Sequence, residues 1–217
     1  MIRTALAVAL VVALAACSSP PTDTATPQAA APAAAPTPEI AAPVNALLTA
    51  STLPLQAPPF DKIHDGDYQP AIEEGMRQQL VEIGKIADST EAPTFANTFE
   101  AMENSGELLN RAGRIFFGLA QANTNDTLQA AQVALAPKLA EHGDAIHLNA
   151  KLFNRVKAVY DARETSGLDA LQLRVVEKTY NDFVRAGAQL SDADQTQLRA
   201  LNKEESTLST EFQNKLL

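Results

Sequence analysis

The 217-residue chain holds a single cysteine, Cys17, so no disulfide can form within it and the fold must stand on packing alone. It also lacks any lysine- or arginine-rich run. Its 17 basic side chains against 26 acidic ones leave a formal charge of -9. Proteins that neutralise a phosphate backbone carry the opposite footprint, so nucleic acid is not an expected partner. Beyond the first sixteen residues no apolar run is long enough to cross a bilayer as a helix. Catalytic motifs are missing as well. There is no His-Glu-x-x-His pair for zinc, no Gly-x-Ser-x-Gly turn to expose a nucleophilic serine, and no Gly-x-x-x-x-Gly-Lys loop to cradle a phosphate.

What is present begins at the amino terminus. Arg3, an apolar stretch from Ala5 to Ala16 and small residues before Cys17 make a secretory signal over residues 1–16, too short to span a bilayer. The order Leu14-Ala15-Ala16-Cys17 resembles the lipobox of bacterial lipoproteins, which implies lipid attachment at Cys17 and membrane anchorage through it. Several acyl chains on one residue make such an anchor stable, because each buried methylene contributes roughly 0.8 kcal/mol. Ser18, in place of an aspartate, resembles lipoproteins of the outer membrane, so the expected location is the cell envelope, facing the periplasm. Residues 17–45 are rich in Ala and Pro, and seven of the 13 prolines lie between Pro20 and Pro43. Such a segment cannot pack a core and is expected to be a disordered tether, extending by about 3.1 Å per residue.

Residues 46–217 form one domain's worth of chain and read as all-α. The first helix opens near Asp67 with Pro70 in its first turn and carries Ile72, Met76, Leu80, Ile83 and Ala87 on one stripe. A second, long or bent, starts at the Thr94 cap and passes Phe95, Phe99 and Met102 to Phe116, weakened at Gly106 and Gly113. The third starts at Asn125-Asp126 with Leu128, Val133, Leu135 and Leu139 inward, a kink at Pro137 and a fraying end at Gly143. The fourth runs from Asn149 with Leu152, Val156 and Val159 inward. The fifth runs from Leu168 with Leu171, Val175, Tyr180, Phe183 and Val184, closed by Gly187. The sixth opens at Ser191, answered by Asp194, and its stripe is Leu198, Leu201, Leu208, Phe212 and Leu216. With no glycine, proline or polar tail after Gln213, that helix reads as cut.

The residues offer little chemistry. His64 lies in Ile63-His64-Asp65-Gly66, and His142 and His147 stand five apart, a spacing that does not bring two ligands to one helix face. Charges such as Glu73, Glu74, Arg77 and Glu82 are expected on solvated faces, and Phe116 and Phe117 in the core. No catalytic, cofactor-binding or metal residue is assigned; Cys17 is the one candidate site, for lipid.

Several phrases are more specific than periodicity. Pro58-Pro59-Phe60-Asp61-Lys62-Ile63, Asp67-Tyr68-Gln69-Pro70-Ala71 and Ala92-Pro93-Thr94-Phe95-Ala96-Asn97-Thr98 resemble the amino-terminal region of the thimet oligopeptidase family of zinc metallopeptidases. Leu152-Phe153-Asn154-Arg155-Val156-Lys157, Phe183-Val184-Arg185-Ala186-Gly187-Ala188 and Leu201-Asn202-Lys203-Glu204-Glu205-Ser206-Thr207-Leu208-Ser209 resemble its bacterial peptidyl-dipeptidase (dipeptidyl carboxypeptidase) branch. The resemblance implies a multi-helix amino-terminal lid and wall domain, neurolysin-like, cut off before the catalytic domain. It further implies that a complete relative uses zinc to remove dipeptides from the carboxyl ends of short peptides, and that this chain alone is inactive without the missing catalytic half. The competing expectation is a stand-alone, non-catalytic helical lipoprotein that binds peptides or a protein partner, with Phe212, Leu216 and Leu217 buried.

Overall fold

A computed structural model describes residues 44–216. The signal segment, the lipid site at Cys17, the tether up to residue 43 and Leu217 lie outside the described residues. Among those described there is no strand, and six α-helices of more than ten residues carry the fold. They are α1 (Tyr68–Ala87), α3 (Glu107–Ala122), α4 (Asp126–His147), α5 (Ala150–Ala162), α6 (Ala170–Arg185) and α7 (Asp192–Asn214). A π-helical turn, Phe95–Glu100, runs into the short α2 (Ala101–Glu103).

The helix starts follow cap chemistry, in which a side-chain oxygen takes up an otherwise orphaned amide. Asn125 accepts from the Leu128 amide, Asn149 from Leu152 and Ser191 from Asp194. Thr94 and Asn97 cap each other reciprocally. Near the start of the described residues the Asn45 side chain accepts from the Leu47 amide and donates to the Asp67 carbonyl.

Two apolar cores share α1. Its amino-terminal half packs Tyr68, Ile72 and Met76 with Ala112 and Phe116 of α3 and with Leu128 and Leu135 of α4. Its carboxyl-terminal half gives Ile83 and Ala87 to a second core with Phe99, Leu152, Phe153, Val156, Val159, Val176 and Phe183. The second core is closed by a buried cation. Arg155 of α5 donates to the carbonyls of Ser89 and Glu91 and to the Asn97 side chain, pinning the α1–α2 connection.

Four expectations from the sequence are corrected. The long second helix is two helices. Gly106 sits between them at φ 73°, where a side chain is strained, and its amide donates to the Glu82 carboxylate at 2.7 Å. Gly143 does not end its helix, for α4 runs through Pro137 and Gly143 to His147. Pro137 removes the amide that the Val133 carbonyl would have met. Val133 itself, expected inward, lies on the exposed side, where water can satisfy that carbonyl. In α6, apolar residues at 171, 173, 175 and 176 offer two overlapping stripes. The structure buries Val176 and Phe183 and leaves Leu171 and Val175 exposed, because the former set continues the aromatic face of α5, with Phe153 against Tyr180 and Phe183. The fourth concerns Leu80 of α1, partly exposed, and above all the stripe of α7.

Candidate functional surface

The three histidines are spent on structure. His64 is exposed, with Nδ1 3.2 Å from the Asp67 carboxylate. His142 is buried, and its Nε2 donates to Gln79 Oε1 at 2.7 Å, while Gln79 donates to Ser105 Oγ and Ser105 to the Met102 carbonyl. That tautomer leaves Nδ1 an acceptor without a partner. Burial pushes the pKa of His142 below the ordinary 6.5. His147 Nδ1 donates to its own helix at the Gly143 carbonyl, and its ring lies 5.1 Å from that of Phe183. Among the described residues no three His, Cys, Asp or Glu side chains converge as a metal site needs, so these residues do not fit a zinc ion.

Two of the concave surfaces have aromatic side chains along them. One, of about 610 Å³, runs between α1, the π-helical turn and α6, with Phe95, Phe99, Met102, Val175 and Phe183 along it. The other, of about 700 Å³, lies where α3, α4 and the last turns of α7 meet.

The second surface owes its form to an inversion in α7. This helix packs on α4 through its polar side. Asn202 donates to the Asp144 carboxylate at 2.7 Å, Lys203 bridges to Glu141 at 2.5 Å, and the buried Gln195 reaches the carbonyls of Gly187 and Leu190. The stripe read as core faces outward: Leu201 is 61% exposed, Leu208 57%, Phe212 64% and Leu216 71%. Leu198 alone of that set is half-buried, over the end of α6 against Gly187. The signal that could have found this was in the sequence. Gln195, Asn202, Ser206, Ser209 and Gln213 recur at spacings of three, four and seven, so one helical period carries a polar stripe beside the leucine stripe.

Comparison with known proteins follows the same residues. The chain is 45% identical to the dipeptidyl carboxypeptidase of Escherichia coli (strain K12) over 174 residues, which are 80% of this chain and 26% of that protein. It is 46% identical to the dipeptidyl carboxypeptidase of Salmonella typhimurium over 173 residues, 80% of this chain and 25% of that one. With oligopeptidase A of Haemophilus influenzae the identity is 23% over 160 residues, 74% of this chain. The chain thus spans about a quarter of the length of the curated relatives it matches. No protein-family model matches it.

Proposed function

We propose, taking the chain as homologous to about a quarter of the dipeptidyl carboxypeptidases, that it is the amino-terminal, substrate-restricting part of a lipid-anchored peptidyl-dipeptidase. The 45% identity over 80% of the chain carries this reading. The complete protein would remove dipeptides from the carboxyl ends of short peptides. A zinc ion held by residues beyond this stretch would polarise the carbonyl and activate water. The helices described here would contribute a wall that limits which peptides enter, and by themselves would not hydrolyse. Anchorage rests on Leu14-Ala15-Ala16-Cys17, and location at the periplasmic face of the outer membrane on Ser18. The exposed stripe of α7 speaks against the stand-alone lipoprotein, which would bury Phe212 and Leu216.

The test is the intact mass of the protein from its own source, with zinc content and cleavage of an amino-blocked short peptide. A mass far above that of 217 residues, with zinc and dipeptide release, is the expected result. A mass equal to residues 17–217 plus lipid, with neither zinc nor cleavage, would overturn the peptidase reading and leave a binding lipoprotein. An unmodified residue 17 would remove the anchor without touching the rest.

A further inference from the structure

The outward stripe of α7 is continued by Leu216 in the turn after the helix, and Leu216 also lines the groove beside it, so stripe and groove adjoin. We propose that this surface is the seat of a later segment of the same polypeptide. The inference rests on the reading above and adds where the remainder docks.

Three observations define the occupant. The first is the exposed row Leu201, Leu208 and Phe212, whose steps of seven and four keep it on one side of α7, extended by exposed Leu216 in the turn that follows the helix. Scattered exposed leucines are ordinary, but a contiguous row marks a surface that expects a partner. The second is the lining of the groove. Ala120, Ala136 and Ala140 face Ser206, Ser209 and Thr210, so that small side chains on both walls let a polypeptide backbone approach closely. No charged side chain lines it, although charged residues are 20% of the chain. A neutral, apolar segment is thereby favoured over a charged ligand. The third is Gln132 in the groove wall, whose Oε1 is buried without a hydrogen-bond partner. Such an acceptor is costly unless a donor arrives, and a backbone amide is the donor that an incoming segment brings.

The relatives say which segment. About three quarters of their length has no counterpart in this chain, and a covalently joined segment meets its site at an effective concentration that a separate partner seldom reaches. A second copy of the chain, or a lipid surface against the leucines, is the competing occupant.

The experiment places the photo-crosslinking residue p-benzoylphenylalanine at position 212, and separately at 208, in the protein made from its own gene in its own source. Both positions are exposed, so the bulk is tolerated. The intact mass is measured first, then the products of irradiation. The expected result is a mass well above 217 residues and a cross-link within one chain, from α7 to a peptide lying after residue 217, with no change in chain count. A longer chain whose cross-links run to a second copy, to lipid or nowhere would overturn the docking proposal and leave the peptidase reading intact. A chain of 217 residues would overturn both, which separates that failure from the former.

Discussion

Helices α1 and α7, of 20 and 23 residues, are built from the same kind of pattern and end up in opposite situations. In α1 the apolar stripe goes in, with Tyr68, Ile72, Met76 and Ile83 nearly sealed from solvent. In α7 the polar side goes against α4, with Asn202 on Asp144 and a half-exposed Lys203–Glu141 pair at the edge of the contact, and the leucines go out. A helix buries whichever side its neighbour can satisfy. α1 is flanked by α3, α4 and α5 and has apolar partners on three sides. α7 meets α4 on a side that offers Glu141 and Asp144, so its polar stripe is the complementary one.

Phe116 and Phe212 give the sharpest way to break this contrast. Phe116 is fully buried, in contact with Tyr68 and Phe117 at ring distances of 5.6 and 5.0 Å. Phe116→Ala should cost about 3–5 kcal/mol in urea unfolding. Phe212→Ala should stay within about 0.5 kcal/mol, as for surface positions without special roles. A large loss at Phe212 in the 217-residue chain would mean that α7 is packed by its leucines after all.

Next in size is the contrast between two charges. Arg155 is buried, satisfies three oxygens and has no carboxylate among those partners. Arg155→Met should cost about 2–3 kcal/mol, since buried acceptors lose charge-assisted donors. Lys203, bridged to Glu141 with both side chains about half exposed, should cost under about 1 kcal/mol as Lys203→Met. Equal losses would mean that the α4–α7 contact is held by its ion pair. A smaller effect than that at Phe116 is expected from Gly75→Ala, where α1 crosses α3 so closely that a Cβ would lie 2.6 Å from the Leu109 amide nitrogen. Overpacking of about 1–3 kcal/mol should appear as a lower midpoint of thermal unfolding.

Much of the fold was legible because caps are local. Thr94, Asn125, Asn149 and Ser191 each announce a helix through a side chain that reaches its own next amides, and Gly187 announces an end: the Gly187 amide meets the Val184 carbonyl and the Ala188 amide meets that of Phe183. Less legible was anything decided between helices. Gly106 caps the start of α3 in a left-handed conformation with Gln79 and Glu82 of α1 standing against it, and no local pattern contains those neighbours. The α7 surface was misread for the same reason: a stripe of leucines says that something will cover it, and only the tertiary structure says that α4 does not. Cys17 lies outside the described residues, so its role rests on Leu14-Ala15-Ala16 before it.

The smallest expected effect is a pH dependence that separates α1 from α7. His142 is held neutral in the α1–α4 interface, donating to Gln79, with its pKa pushed below 6.5 by burial. The unfolded chain therefore binds a proton there that the folded chain refuses. The stabilisation is complete above the unfolded value near 6.5 and is lost as pH falls through the lower folded value. Glu73, whose pKa is lowered chiefly by the hydrogen bond from Lys138, has the same sign but acts in the carboxylate range, below about pH 4.3. Between pH 7.5 and 5.5, in the His range, the urea midpoint should fall in the unaltered protein and fall less in His142→Gln, which keeps an amide donor for Gln79. Parallel slopes would show that another group is titrating. A matching loss of slope in Lys203→Met would move the sensitivity to the α4–α7 contact and erase the distinction between the two helices on this count.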